Sequence, residues 1–305
     1  MRRLLALALV YAVVLVLVLV VVATAAEVRH AAVGTPTFDR LADGSWRITV
    51  GATALTLTSV EAKKLADRIK PDPPPPGPVP TFAEECNGTQ IDQSKWVSEW
   101  GVYFGTDADF MGDMRQISMG GGNCTITAEK KPTPSGRPWA SGLMSTHDRF
   151  WQAYGRFEIR AKLPKGKGMW PAFWLLPQAT RHGPPEIDVM EAWTNPIGTT
   201  PIDARSTSAA VHYGPPGYDP DLMHSVWYKG PDFSEDFHTY AVDWRPGSIA
   251  MLIDGVVRGR ITADVPSVPM YLIVNLAVGS NWGGRPDATT PSPSHMLIDY
   301  MRVYA

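Results

Sequence analysis

"GRFEIRAKLP", residues 155 to 164, alternates without a break, with Phe157, Ile159, Ala161 and Leu163 on one side and Arg156, Glu158, Arg160 and Lys162 on the other. A period of two is the mark of a strand with one buried and one wetter face, the usual condition of an antiparallel sheet. Further on, "HTYAVDWRPGSIAMLIDGVVRGRI", residues 238 to 261, sets alternating runs around the turn signals Pro246-Gly247 and Asp254-Gly255, which reads as a meander. Between Thr81 and Ala305 no stretch carries three turns of amphipathic helix, and no repeat occurs. Many short strands over a region of this length predict an all-β fold, a large antiparallel sandwich.

Toward the amino terminus the pattern changes. "PDPPPPGPVP", residues 71 to 80, is a linker whose fixed φ angles favour an extended rod of roughly 30 Å. Residues 27 to 70 read as a separate small module of undetermined role. In it "SWRITV" and "ALTLT" alternate like strands. "TSVEAKKLADRIK" predicts a helix with Thr58 and Glu61 spaced as a capping box and Ala62, Leu65, Ala66 and Ile69 in one stripe. So short a module has a marginal core and needs the membrane, a partner or the next domain. Residues 1 to 26 place Arg2 and Arg3 before an uncharged run, Leu4 to Ala26, long enough to cross a bilayer. Its length exceeds the usual signal core of about 7 to 15 residues and favours an uncleaved anchor, while Ala23-Thr24-Ala25 offers a cleavage site. Either way the expectation is an exported chain, anchored in the membrane through residues 4 to 26 or secreted, with everything after residue 26 outside.

Hydrophobic residues make up 44% and charged residues 19% of the chain, which supports a sizeable core. A formal charge of -2 without a concentrated Lys/Arg surface excludes a nucleic-acid partner. The two cysteines, Cys86 and Cys124, are too few for a disulfide scaffold or a zinc cluster, although they can pair in an oxidising exterior. Of eleven Trp, ten follow residue 95. Such a set serves either a core or a sugar groove, where flat rings pack on pyranose C–H faces.

"PPEIDVMEAW", residues 184 to 193, places Glu186, Asp188 and Glu191 in an otherwise apolar run. On a regular strand Glu186 and Asp188 share a face and Glu191 points the other way. A β-bulge at Val189-Met190 would supply the extra residue that returns Glu191 to the same side. Glu186 and Glu191 would then stand roughly 13 Å apart at Cα, close enough for inward-leaning carboxyls to reach the separation of about 5 to 5.5 Å that a retaining glycosidase requires. From spacing alone a solvated acidic face and a metal-binding cluster remain open as alternatives. The apolar neighbours Ile187, Val189 and Met190 mark a buried setting, where like charges repel and such crowding normally has a use.

"EIDVMEAW" resembles the catalytic strand of glycoside hydrolase family 16 in its bulged E-x-D-x-x-E form. "TFAEECNGTQIDQSKW", "YGRFEIRAKLPKGKGMWPAFWLLP", "DFHTYAVDW", "YLIVNLAVGSNWGG" and "MLIDYMRVYA" match that family in order. The likeness spans residues 81 to 305 and nothing before them. It implies a β-jelly-roll (concanavalin A-like) sandwich and a retaining endo-β-glycanase cutting an extracellular polysaccharide, β-1,3-linked glucan first. Glu186 takes the nucleophile position, Asp188 the assisting position and Glu191 the acid/base position. The alternatives are a galactan- or envelope-directed hydrolase or transglycosylase of the same family, and a non-catalytic carbohydrate-binding protein. The two half-reactions need no metal or organic cofactor, and the chain is expected to be monomeric. Family members often carry a structural calcium with an Asp in the last strand, the position of Asp299.

Trp170 and Trp174, at i and i+4, share a strand face and are candidates for stacking on sugars, unless one packs between the sheets. Phe173 and Leu175 face the core. Trp193 falls on the cleft side beyond the bulge. His212 in "AAVHYG" and Asn275 in "IVNLAVG" are polar residues inside apolar strands that need partners when buried, and either line the site or are structural. Trp282 matches a cleft-edge loop of the family. Residues 101 to 115 and 213 to 230 read as loops that would set linkage specificity.

Overall fold

The computed structural model describes residues 37–40, 45–50, 53–57, 78–98, 106–181, 183–193, 202–215, 222–280 and 283–305. The apolar segment 4 to 26, the helix expected over 58 to 70, most of the Pro-rich linker and Trp282 lie outside the described residues. Among the described residues no helix is long and apolar enough to cross a membrane. The chain divides between Gly77 and Pro78.

In the first unit, β1 (Thr37–Arg40), β2 (Trp46–Val50) and β3 (Thr53–Leu57) form an antiparallel meander. The alternating "SWRITV" and "ALTLT" become β2 and β3, paired from Trp46 opposite Leu57 to Val50 opposite Thr53.

In the second unit every described regular element is a strand. These are β4 (Phe82–Glu84), β5 (Ala108–Phe110), β6 (Ile117–Gly120), β7 (Asn123–Lys130), β8 (Trp139–Ser141), β9 (Leu143–Ser145), β10 (Gly155–Lys162) and β11 (Met169–Pro177). They continue with β12 (Glu186–Glu191), β13 (Ser206–Tyr213), β14 (Leu222–Lys229), β15 (His238–Arg245), β16 (Ser248–Ile253), β17 (Val256–Ile261), β18 (Met270–Val278) and β19 (Ser294–Tyr304). A ten-stranded sheet runs β17-β16-β15-β10-β19-β7-β8-β5, with β4 on β19 and β6 on β7; a six-stranded sheet runs β14-β13-β12-β11-β18-β9. Apart from the parallel pair β5 and β8, the named strand pairs are antiparallel.

The alternation that predicts the sandwich also builds its core. Phe157, Ile159 and Ala161 of β10 are fully buried against Phe173 and Leu175 of β11, Ile187 and Val189 of β12 and Val274 of β18. Each large apolar side chain so buried contributes about 1.5–3 kcal/mol. The expected meander is β15-β16-β17. Its second turn holds Asp254 at φ 52° and Gly255 at φ 74°, the left-handed pair that a two-residue hairpin of matching twist requires.

Two segments depart from the sequence reading. Residues 101 to 115 contain β5, and residues 213 to 230 contain β14 rather than only loop. "LMHSVWYK" hides its strand because β14 is the sheet's outer edge, where side chains of both faces stay partly exposed and no polar/apolar contrast develops. Cys86 and Cys124 form a disulfide between fully buried positions 38 residues apart. Closing such a loop in the unfolded chain corresponds to about 4 kcal/mol of stabilisation in the chain-entropy model.

Candidate active site

The three carboxylates sit where one extra residue re-phases a strand. Along β13, Asp188 pairs with Ala210 and Glu191 with Ser208. On β11 they pair with Trp174 and Ala172. Three residue steps on β12 therefore match two on each neighbour, which is a β-bulge. Val189 and Met190 both turn into the core at 0% exposure, and Glu186, Asp188 and Glu191 emerge on the opposite face. Thr207 Oγ1 donates to the Glu191 carbonyl over 2.9 Å and holds the bulged backbone.

The surroundings of the acids differ. Asp188 is 2% exposed. With its proton on Nε2, His212 donates to Asp188 Oδ2 over 2.8 Å, and the same nitrogen stands 4.0 Å from Glu186 Oε1. Glu186 also lies against Gly183, where an added Cβ would stand 2.5 Å from Oε2 and 2.9 Å from the Glu186 Cβ. Glu191 accepts from Trp170 Nε1 over 2.8 Å. Burial of the Glu191 carboxyl and, next, the charge of Asp188 push its pKa up to about 8, against the pull of the Trp170 hydrogen bond and His212. One group is thus set to hold a proton at neutral pH, the condition of a general acid.

Trp170 is half-buried and stacks on Trp193, with centroids 5.9 Å apart and planes 29° apart. Trp193 is 6% exposed and packs in turn against Trp227 in a tilted contact, at 5.5 Å and 31°. Trp174 shares the face of Trp170, but it is 3% exposed and gives its Nε1–H to Asn275 Oδ1 over 2.7 Å. Trp174 and Asn275 therefore make the floor under the acids. Too little of the Trp174 ring is open for a sugar to stack on it, because Phe110, Leu143 and Leu176 pack into the same cluster. Phe173 and Leu175 are core, as their opposite phase implies.

Asp299, the last-strand position, has its carboxylate paired with Arg160. Glu186, Asp188 and His212 do bring ligand atoms within 4.8 Å of one another, a consequence of the same crowding. Gly183 and Trp227 escape the sequence reading, since the first is a turn residue distinguished only by what it touches and the second lies on the unrecognised β14.

A two-sheet sandwich with three carboxylates aligned by a bulge on its open face, one of them held protonated, defines the glycosyl-hydrolase class of sandwich. The chain belongs to Glycosyl hydrolases family 16, whose model matches residues 104–302. It is 33% identical over 262 residues to Glucan endo-1,3-beta-glucosidase A1 of Niallia circulans, covering 73% of this chain and 37% of that protein. It is 33% identical over 205 residues to the Beta-glucanase of Rhodothermus marinus, covering 61% of this chain and 69% of that one. Among solved structures, the laminarinase catalytic domain of Thermotoga maritima superposes with a TM-score of 0.65 at 33% identity, covering 74% of this chain and 97% of that domain. The chain thus spans little more than a third of the Niallia circulans protein.

Proposed function

We propose that the chain is a retaining endo-β-glycanase acting on β-1,3-linked glucan. The observation that carries this reading is the pairing, on one bulged strand, of Glu186 with a Glu191 whose pKa is raised to about 8. The names of the relatives, glucan endo-1,3-beta-glucosidase and laminarinase, support the substrate. Glu186 attacks the anomeric carbon while Glu191 gives its proton to the departing glycosidic oxygen. The C–O bond breaks, and a glycosyl ester forms on Glu186. Glu191, now a carboxylate, takes a proton from the incoming water, whose oxygen displaces Glu186 and restores the starting configuration. Asp188, held by His212, keeps negative charge beside Glu191 and so keeps the acid protonated before the first step. Side chains fill every proton and nucleophile role in this scheme.

The test is product mapping on a polysaccharide panel. Short oligosaccharides from β-1,3-glucan, with the β-anomer first by NMR, are expected. Release from a galactan or envelope polysaccharide but not from β-1,3-glucan would overturn the substrate. Binding without new reducing ends would replace the enzyme with a carbohydrate-binding protein.

The same reading places the catalytic unit outside the cell, held by residues 4 to 26 or released from them. The Cys86–Cys124 disulfide supports an oxidising compartment. Membrane fractions that keep the chain through high salt and lose it to detergent support the anchor; a soluble mature form beginning near Ala26 argues for cleavage.

A further inference from the structure

Trp227 is the outer end of a row of indoles that begins at Glu191. Glu191 accepts from Trp170, Trp170 stacks on Trp193, and Trp193 packs at a tilt against Trp227. The middle ring is clamped: Trp193 is 6% exposed, and an added Cβ on Gly283 would stand 2.3 Å from its Cδ1. The outer ring is not, for Trp227 is 42% exposed. The ladders place it in line with the acids. Ser208 pairs with Trp227 on one side and with Glu191 on the other, so both lie in one row across the sheet and on one face. Their backbones are two strand spacings apart, roughly 10 Å.

Scattered exposed apolar residues are normal, but this one is not scattered. It stands on the face of an edge strand that carries Glu191, in register with it, against a buried indole and 42% exposed. Its exposed ring has the chemistry of a pyranose platform, an apolar surface against sugar C–H groups.

We infer that Trp227 is a specificity-determining platform that stacks on a sugar of the bound chain on the β14 side of the scissile bond, extending the cleft across the strands to the sheet edge. This rests on the proposed cleavage of a β-glycan. A chain laid across the sheet through Glu191 meets Trp227 after passing over Ser208, whereas a substrate confined to the bond being cut does not reach it.

The experiment compares Trp227→Ala and Trp227→Phe with the wild-type chain on polymeric β-1,3-glucan and on an aryl β-glycoside that occupies only the sugars next to the scissile bond. For Trp227→Ala, the KM for polymer rises about ten-fold or more while kcat changes less than three-fold. The KM for the aryl glycoside changes less than two-fold, and Trp227→Phe recovers most of the loss. Equal effects of Trp227→Ala on both substrates, or a polymer KM within two-fold of wild type, would overturn the inference. So would a fall in melting temperature that accounts for the loss and is not repaired by Phe. Wild-type inactivity on β-1,3-glucan is a failure of the substrate reading alone; the same comparison is then read on the glycan the wild type cleaves. If it cleaves none, retardation in gels containing each glycan replaces KM, and unretarded wild-type and variant chains alike would overturn the inference.

Discussion

Trp170 Nε1 donates a hydrogen bond of 2.8 Å to Glu191 Oε1, and this bond opposes the burial that protonates the same carboxyl. A donor aimed at a carboxylate stabilises the charged form. Trp170→Phe removes the donor and keeps most of the ring, so Glu191 should hold its proton to higher pH. In the wild type the alkaline limb of kcat/KM is expected near 8, activity falling as pH rises through it. In Trp170→Phe that limb should move upward, with the loss of rate at pH 6 under about ten-fold because the acid is still protonated there. A limb that stays in place or moves down would show that the bond does not tune Glu191.

Gly183 tests placement rather than charge. A Cβ at this position would stand 2.5 Å from Glu186 Oε2 and 2.9 Å from its Cβ, so the carboxylate must shift. Displacing a nucleophile by a fraction of an ångström costs rate more than binding. Gly183→Ala is expected to lower kcat about ten-fold or more, leave KM within three-fold and change the melting temperature little. A loss carried mainly by KM would point to a substrate contact instead.

Much of this is legible in the sequence. The alternation of residues 155 to 164 appears as β10, the turn pairs at 246–247 and 254–255 as hairpins, and the odd spacing between Asp188 and Glu191 as a bulge in both flanking ladders. His212, a polar residue inside an apolar strand, calls for a partner and has one in Asp188. What was not legible depends on neighbours far away in sequence. Periodicity gives the face of Trp174 but not the covering that leaves it 3% exposed. An edge strand such as β14 offers no contrast between faces, so the sequence around Trp227 reads as a loop. Nor does the last strand show that Asp299 is paired with Arg160, 139 residues away.

Glu191 should also destabilise the folded chain at neutral pH. Its pKa is about 8 when folded against 4.5 for an ordinary glutamate. Between those values the native state keeps a proton that the unfolded state has released, so stability falls as pH rises, by at most about 1.4 kcal/mol per unit. The contribution is complete below the unfolded value and lost on passing through the folded one. Glu191→Gln keeps the shape and removes the titration. Its advantage in melting temperature over wild type should therefore be larger at pH 8 than at pH 5. An advantage that does not change with pH would mean that Glu191 ionises normally.

The roles of the two outer acids separate most cleanly at Glu186. Glu186→Ala removes the nucleophile but leaves the acid, because burial and the charge of Asp188, the leading causes of the raised Glu191 pKa, are both retained. Turnover of an activated aryl β-glycoside should then fall far more than ten-fold, a barrier increase well above about 1.4 kcal/mol. Azide, small enough for the vacated space and needing no general base, should restore turnover by attacking the anomeric carbon directly. One displacement replaces two, so the glycosyl azide must carry the inverted configuration. In Glu191→Ala azide would instead intercept the glycosyl ester already formed on Glu186, and two displacements leave the product retained. A Glu186→Ala chain that keeps more than a tenth of wild-type rate, or that yields a retained azide, would take the nucleophile role away from Glu186.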